Sequence, residues 1–336
     1  MSLRLHGDTL PRPGALDFAT CLWPAPPPAE LIDALARGLE ECARYPDERS
    51  AREQIAARHG RQPEEVLLLN GACEAFWLLA HALRPLRAAC VHPSFTEPEA
   101  ALRAVGTEVV RVSLDPDSWQ LDPSRIPDEA ELVAIGNPNN PTGTLTPAAT
   151  LASLARPARR LVVDESFIEL TEEPQASLAA RADLPGLIVV RSITKLYGLA
   201  GIRAGYLLAE PPLVAELAAQ RQPWSVNTLA CRALAVCAAD PATPRRLAGE
   251  VAAARVELLG ALCARPGLRA WPSAANFLLL RVDDVSDLAD ALADEGIAVR
   301  PAASFPGLDE RYIRVAVRPP ADNAQLLAAL DEVLAR

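Results

Sequence analysis

Lys195 is the only lysine in 336 residues; the other thirty-two of the thirty-three Lys and Arg residues are arginine. A guanidinium stays protonated and is a very poor nucleophile. A lysine amine whose pKa is lowered by burial or by a neighbouring cation can instead add to a carbonyl and form a Schiff base. Ser192 and Thr194 place hydroxyls beside it, and Arg203 lies eight residues beyond. Together these three suit a dianionic phosphate. Asp164, in Asp164-Glu165-Ser166-Phe167, follows the apolar run Leu161-Val162-Val163. A carboxylate there needs a positive partner, such as a protonated ring nitrogen, unless it simply caps a helix. In Asn137-Pro138-Asn139-Asn140-Pro141-Thr142-Gly143, two prolines and a glycine specify a turn that presents the Asn140 amide. In Asn70-Gly71-Ala72-Cys73-Glu74, Gly71 permits close approach, and the N–H groups of Ala72 and Cys73 open a helix. That geometry serves either a phosphate cradle or an ordinary strand-to-helix turn.

These strings need elements to aim them. Short apolar runs at 66–69, 88–91, 108–112, 132–135, 160–163, 187–190 and 204–208 predict strands, and helical patterns at 72–83, 95–105 and 147–155 fall among them. Such alternation predicts an α/β fold with a mostly parallel sheet and helices on both faces. Its ligand sites lie where the strands end. Ahead of it runs a proline-rich arm, 1–29, with no regular pattern. Helices are expected at 30–43, with Leu31, Leu35 and Leu39 at helical spacing, and at 50–59. Beyond Pro212 come long helices at 213–239, interrupted by Pro223, and at 241–264. Strands at 277–282, 298–300 and 312–317 and helices at 285–293 and 323–334 then make a smaller α+β domain. The expected division is an arm (1–29), a large domain (30–240) and a small domain (241–336).

Composition narrows the partners. Half the residues are apolar, yet no run reaches the roughly eighteen needed to cross a bilayer, so a soluble protein is expected. The N-terminus shows no apolar core segment or cleavage site, which gives a cytoplasmic expectation. A net charge of −10 without a basic stripe argues against nucleic acid. The seven cysteines are odd in number and scattered, and the four histidines lack ligand spacing, so neither a disulfide frame nor a metal site is expected.

In order and spacing, the Asn-Pro-Asn-Asn-Pro-Thr-Gly string, Asp164-Glu165-Ser166-Phe167, Ser192-Ile193-Thr194-Lys195 and Arg203-Ala204-Gly205-Tyr206 resemble the fold-type-I pyridoxal-5′-phosphate enzymes, the aspartate-aminotransferase superfamily. The resemblance spans nearly the whole chain and implies a seven-stranded sheet. It implies that Lys195 carries the cofactor as a Schiff base and then moves protons, and that Asp164 keeps the ring nitrogen protonated. Asn140 would bond the phenolic oxygen, and Phe95 would stack on the ring. Gly71, Ala72, Cys73, Ser192, Thr194 and Arg203 would hold the phosphate. Tyr45 would reach the phosphate of a partner subunit, which implies a homodimer with shared sites. Arg314, in Tyr312-Ile313-Arg314-Val315, would bind the substrate carboxylate as a bidentate fork.

Within the superfamily the chain is similar to histidinol-phosphate aminotransferases and to the threonine-phosphate decarboxylases of the cobalamin pathway. His6-Gly7, Phe167 where aminotransferases usually have tyrosine, and the run from Val299-Arg300 to Arg318 favour the decarboxylases. In those enzymes Arg300 and His6 would contact the substrate's own phosphate. The arm departs from the family pattern: Cys21 and Trp23 stand where asparagines are usual, and Asp8 replaces a glycine. Decarboxylation, transamination and side-chain substitution at a small amino acid all remain open at this point. The first two differ in which bond at Cα lies perpendicular to the ring.

Overall fold

The computed structural model describes residue 3 and residues 5–283 and 287–335. Its strands are β1 (Leu16–Asp17), β2 (Val66–Asn70), β3 (Arg87–His92), β4 (Glu108–Ser113), β5 (Leu132–Gly136), β6 (Arg160–Asp164), β7 (Leu187–Ser192) and β8 (Ala204–Leu208). β9 (Leu268–Ala270), β10 (Phe277–Val282), β11 (Ile297–Ala298), β12 (Arg300–Pro301) and β13 (Tyr312–Ala316) complete the set.

β2 to β8 form one seven-stranded sheet in the order β2-β8-β7-β6-β5-β3-β4. Only β8 runs against its neighbours, β2 and β7; the remaining pairs are parallel. The strands read as unbroken apolar runs because both faces are covered. Val66 and Leu68 enter one buried cluster, while Leu67 and Leu69 enter the other. The first cluster continues into the second sheet, β12-β13-β10-β9, through Phe277, Leu279 and Val315. Burying each such aliphatic side chain stabilises the fold by about 1.5–3 kcal/mol.

Sheet polarity gathers the site. β2, β5, β6 and β7 all end at one edge, delivering Asn70, Asn137, Asp164 and Ser192. β8 is antiparallel, so its beginning lies at that same edge and brings Arg203 there from the other chain direction.

Three expectations change. The 298–300 stretch is not one strand: Ile297–Ala298 pairs with β1, and Arg300–Pro301 pairs with β13 in another sheet. The arm is not wholly irregular, since β1 runs parallel to β11 and a 3-10 turn covers Gly7–Thr9. Leu39 lies on the outer side of helix Ala29–Glu41 and is 64 % exposed, while Leu31 and Ala34 turn inward. The long helices appear as Pro211–Gln220, Thr228–Ala239 and Ala242–Cys263, and the one expected at 285–293 appears as Leu288–Asp294, with Val285 outside the described residues. Among the described residues no cysteine is paired, no cluster could hold a metal ion, and no helix is long and apolar enough to cross a membrane.

Candidate active site

A cavity of about 600 Å³ opens at the sheet's shared edge. Lys195, Asp164, Asn140, Phe95, Ala72, Cys73, Ser192, Thr194, Arg203, Arg300, Arg314 and His6 all line it. Two expected residues do not. Gly71 sits behind Arg203, and Tyr45 is 74 % exposed elsewhere, stacked on Trp224 at 4.2 Å.

Lys195 sits in a single helical turn, Thr194–Tyr197, that follows β7 directly. The Ser192 hydroxyl accepts from the Thr194 N–H at 3.1 Å to start the turn, and Gly198, in the left-handed region, ends it. Burial lowers the Lys195 pKa, and the charges of Arg314 and Arg203 lower it further. Those are the conditions under which a lysine amine becomes available as a nucleophile. Its Nζ stands 5.9 Å from the centre of the Phe167 ring.

Asp164 takes two hydrogen bonds on Oδ1, from the Ser166 N–H (3.0 Å) and hydroxyl (2.6 Å). Burial raises its pKa against those two bonds. It has no ion-pair partner among the described residues, although a face of it meets the cavity. The Asn-Pro turn divides its labour. Asn137 and Asn139 are buried and hydrogen-bonded into the turn and to the Pro93 carbonyl, whereas Asn140 reaches the cavity. The Asn140 Oδ1 accepts from Arg314 Nη1 at 2.6 Å, which leaves its Nδ2 hydrogens to donate into the cavity.

At the opposite end, Gly71 has φ +80°, and a Cβ there would collide with the Arg203 guanidinium. A Cβ at Gly205 would likewise strike the Ala72 backbone. Both glycines let the strand-to-helix turn and Arg203 close on one another beside the free N–H groups of Ala72 and Cys73. The Cys73 thiol is pushed up to about 12 by burial and by Glu97, so it stays a thiol and donates to Glu97 Oε2 at 3.7 Å.

These features fit pyridoxal phosphate. A carboxylate without a cation faces the space for a ring nitrogen, an amide donor faces the space for a phenolic oxygen, and a glycine-lined cup with one guanidinium faces the space for a phosphate.

Arg300 and Arg314 are direct cross-strand partners on β12 and β13, only 4 % and 6 % exposed. Like charges opposite one another in a sheet repel, and buried cations need counter-charge. Neither has a carboxylate partner among the described residues; their nitrogens bond to carbonyl oxygens, to Ser304 and to Asn140. Arg314 Nε is buried with no hydrogen-bond partner. Burial, and then the charge of Arg314, lowers the Arg300 pKa to about 10. The pair leaves that end of the cavity with two buried positive charges side by side.

The arm closes the cavity. Ala19 O accepts from Arg314 Nη2 (2.5 Å), Leu5 O accepts from Arg300 Nη2 (2.6 Å), and the Trp23 N–H donates to Lys195 O (3.1 Å). Asn276 Nδ2 holds the Cys21 carbonyl at 3.0 Å, and the Cys21 thiol, raised by burial, lines the cavity as a neutral group. The sequence marks Cys21 only as a departure from pattern, carries Ser166 and Gly205 inside motifs without a role of their own, and gives no sign of Glu97. Glu97 reads as an ordinary acidic residue in a helix's first turn; only the chain's return through the arm shows what it touches.

Residues 22–332 match the model of the family described as aminotransferase class I and II. A histidinol-phosphate aminotransferase of Mycobacterium tuberculosis is 44 % identical over 335 residues, covering 98 % of this chain and 90 % of the relative. The threonine-phosphate decarboxylase of Salmonella typhimurium is 36 % identical over 331 residues, covering 95 % and 91 %. The crystal structure of the histidinol-phosphate aminotransferase from Clostridium acetobutylicum superposes with a TM-score of 0.88 at 27 % identity, covering 94 % of this chain and 98 % of that one. With its catalytic edge, its sheet order and its full-length match, the chain belongs to the class I and II aminotransferase family, pyridoxal-phosphate-dependent enzymes that act as aminotransferases or decarboxylases.

Proposed function

We propose that this enzyme acts at Cα of a small phosphorylated amino acid, as a decarboxylase of the threonine-phosphate type working in the cobalamin pathway. The observation that carries the reading is the buried, uncompensated Arg300–Arg314 pair, with His6 at the same end of the cavity. One guanidinium serves the α-carboxylate and the other the side-chain phosphate, so a substrate with two anionic ends fits where one with a single end leaves a cation unpaired.

Pyridoxal phosphate, when bound, supplies an aldehyde for the substrate amine and a ring that accepts the electron pair left at Cα. Lys195 would hold the cofactor and is the amine placed to move a proton at Cα. Asp164 would pair with the ring nitrogen and keep it protonated. The Asn140 amide would donate to the phenolic oxygen, while its carbonyl oxygen orients Arg314. Phe95 would pack on the ring. Ala72 and Cys73 N–H groups, Ser192, Thr194 and Arg203 would bind the cofactor phosphate. Tyr45, exposed and outside its own cavity, would serve the cofactor phosphate of a second copy in a homodimer, and the enzyme would work in the cytoplasm. The arm, by holding Arg314 through Ala19 O, would orient the substrate carboxylate and with it the bond at Cα that breaks.

Transamination of a histidinol-phosphate-like substrate is the second reading, favoured by the higher identity of the Mycobacterium relative. One assay separates them. Carbon dioxide release from O-phospho-L-threonine without a keto-acid acceptor is the expected result. An obligate need for 2-oxoglutarate replaces the first reading with the second, and inertness toward O-phospho-L-threonine and histidinol phosphate alike removes both.

A further inference from the structure

The N-terminal segment crosses the mouth of the cavity and is tied to the large sheet's side by two consecutive residues. The Thr96 hydroxyl donates to Leu3 O at 2.5 Å, and Glu97 Oε1 meets His6 Nε2 at 2.8 Å. Glu97 opens the helix Glu97–Ala104 and is 3 % exposed. Its second oxygen accepts from Trp77 Nε1 at 2.8 Å and from the Cys73 thiol. The carboxylate is therefore fixed from the helix Cys73–Leu83 before His6 reaches it. With the Glu97 carboxylate as acceptor, His6 Nε2 gives the hydrogen of this bond; a phosphate can only accept as well, so the ring that grips one is the imidazolium, in which Nδ1 gives a second hydrogen. The His6 ring also rests against Phe95, with centroids 5.8 Å apart. From the other side, Arg300 grips Leu5 O, one residue before His6.

A histidine on an irregular arm would otherwise sample several rotamers, each costing entropy to select on binding. Held on one side by a buried carboxylate and on the other by the Phe95 ring, the His6 imidazole is presented in one orientation next to Arg300. Arg300 is itself too deeply buried to move far.

We propose that Glu97 is the positioning residue for His6, setting the imidazole so that it and Arg300 together grip the phosphate on the substrate's side chain. Glu97 thereby determines how strongly the enzyme prefers a phosphorylated amino acid over its unphosphorylated counterpart. This rests on the reading above that the distal cations meet a phosphate.

The test measures dissociation constants of the reconstituted holoenzyme for O-phospho-L-threonine against L-threonine, and for histidinol phosphate against histidinol, from the change in visible absorbance on binding. The ratio within each pair isolates the phosphate. In Glu97→Ala this preference is expected to fall about ten-fold, as for loss of one charged hydrogen bond. Glu97→Gln, which keeps the acceptor oxygen, should recover part of it. Because Glu97 acts through His6, the His6→Asn, Glu97→Ala double variant should lose no more preference than His6→Asn alone.

Equal weakening toward both members of each pair would mean that Glu97 only secures the arm, and would overturn the proposal. Additive losses in the double variant would overturn it as well. Arg300→Ala separates this failure from that of the underlying reading. A preference lost in Arg300→Ala but kept in Glu97→Ala removes Glu97 alone; a preference untouched in both removes the phosphate contact and the proposal with it. Melting temperatures of the holoenzyme variants identify losses that come from unfolding, and Glu97→Gln provides the comparison should Glu97→Ala fold poorly.

Discussion

The two ends of the cavity are built by different means. At the cofactor end, side chains of particular type stand at strand ends, held mostly by short-range bonds: Ser166 on Asp164, Ser192 on the Lys195 turn, the Asn137 amide within its own loop. At the substrate end, two arginines from the second sheet reach across and hold the arm by its backbone carbonyls, Ala19 O and Leu5 O. A carbonyl acceptor is the same whatever residue carries it. The arm can therefore carry Cys21 and Trp23 in place of asparagines and still be held over the cavity. On the proposed reading, most contacts to the cofactor depend on side-chain type, whereas the arm over the substrate is held by backbone and its side chains are freer to vary.

Variants at the two ends should break this contrast in opposite ways. The largest effect is expected from Lys195→Ala, which removes the single amine. Turnover should fall by at least about 10²–10⁴-fold, the usual worth of a positioned proton-transfer group, and the visible absorbance of the reconstituted protein should disappear. Retained turnover would take Lys195 out of the chemistry. Arg314→Ala should cost about 2–5 kcal/mol in kcat/KM, because it removes a buried partner for an anion and releases Ala19 and Asn140 together. Cofactor affinity measured by equilibrium dialysis should change far less, and a parallel loss would show that the two ends are not separable.

Gly71→Ala tests the cofactor end alone. A side chain at φ +80° aimed at Arg203 should cost about 1–3 kcal/mol of stability and weaken cofactor binding, read by thermal melts with and without pyridoxal phosphate. A pH scan probes the support beneath the same edge. His59 bonds to the Tyr206 hydroxyl at 2.9 Å, and burial, with the charges of Arg191 and Arg58, lowers its pKa to about 2. The unfolded chain takes up a proton on this histidine below pH ~6.5 and the folded chain does not. Stability is therefore fully present above that pH and falls as the pH drops, by up to about 2 kcal/mol at pH 5. His59→Gln should flatten that part of the denaturation profile; an unchanged slope would place the acid sensitivity elsewhere. The smallest effect belongs to the arm. A Cβ at Gly7 would press on the Ala19 carbonyl, so Gly7→Ala should raise KM several-fold, about 1 kcal/mol, with cofactor affinity unaltered. Equal damage to both would contradict the division.

Much of the cofactor end was legible in the sequence because each of its residues stands beside the strand or turn that aims it. Lys195 lies three residues past the end of β7, and Asp164 is the last residue of β6, so a strand pattern and a residue type together located them. Gly71 showed by its neighbours that the backbone must turn, though not that Arg203 needs the space above it. The substrate end was harder to read. Nothing in residues 298–300 reveals that the chain leaves one sheet and enters another between Ala298 and Arg300, and that step is what sets Arg300 opposite Arg314. Leu39 kept helical spacing yet lies outside, because periodicity gives a stripe and only the neighbouring elements decide how wide a stripe is covered.

The family resemblance and the candidate amine, Lys195, are carried by residue types held at short range along the chain, so they are legible without the fold. Folding alone sets two buried arginines opposite one another, lets them grip the arm by its carbonyls, and brings Glu97 to His6 across ninety-one positions. Those pairings follow from an antiparallel register and from a returning arm, which depend on the packing of whole elements and leave no local mark on the residues that take part.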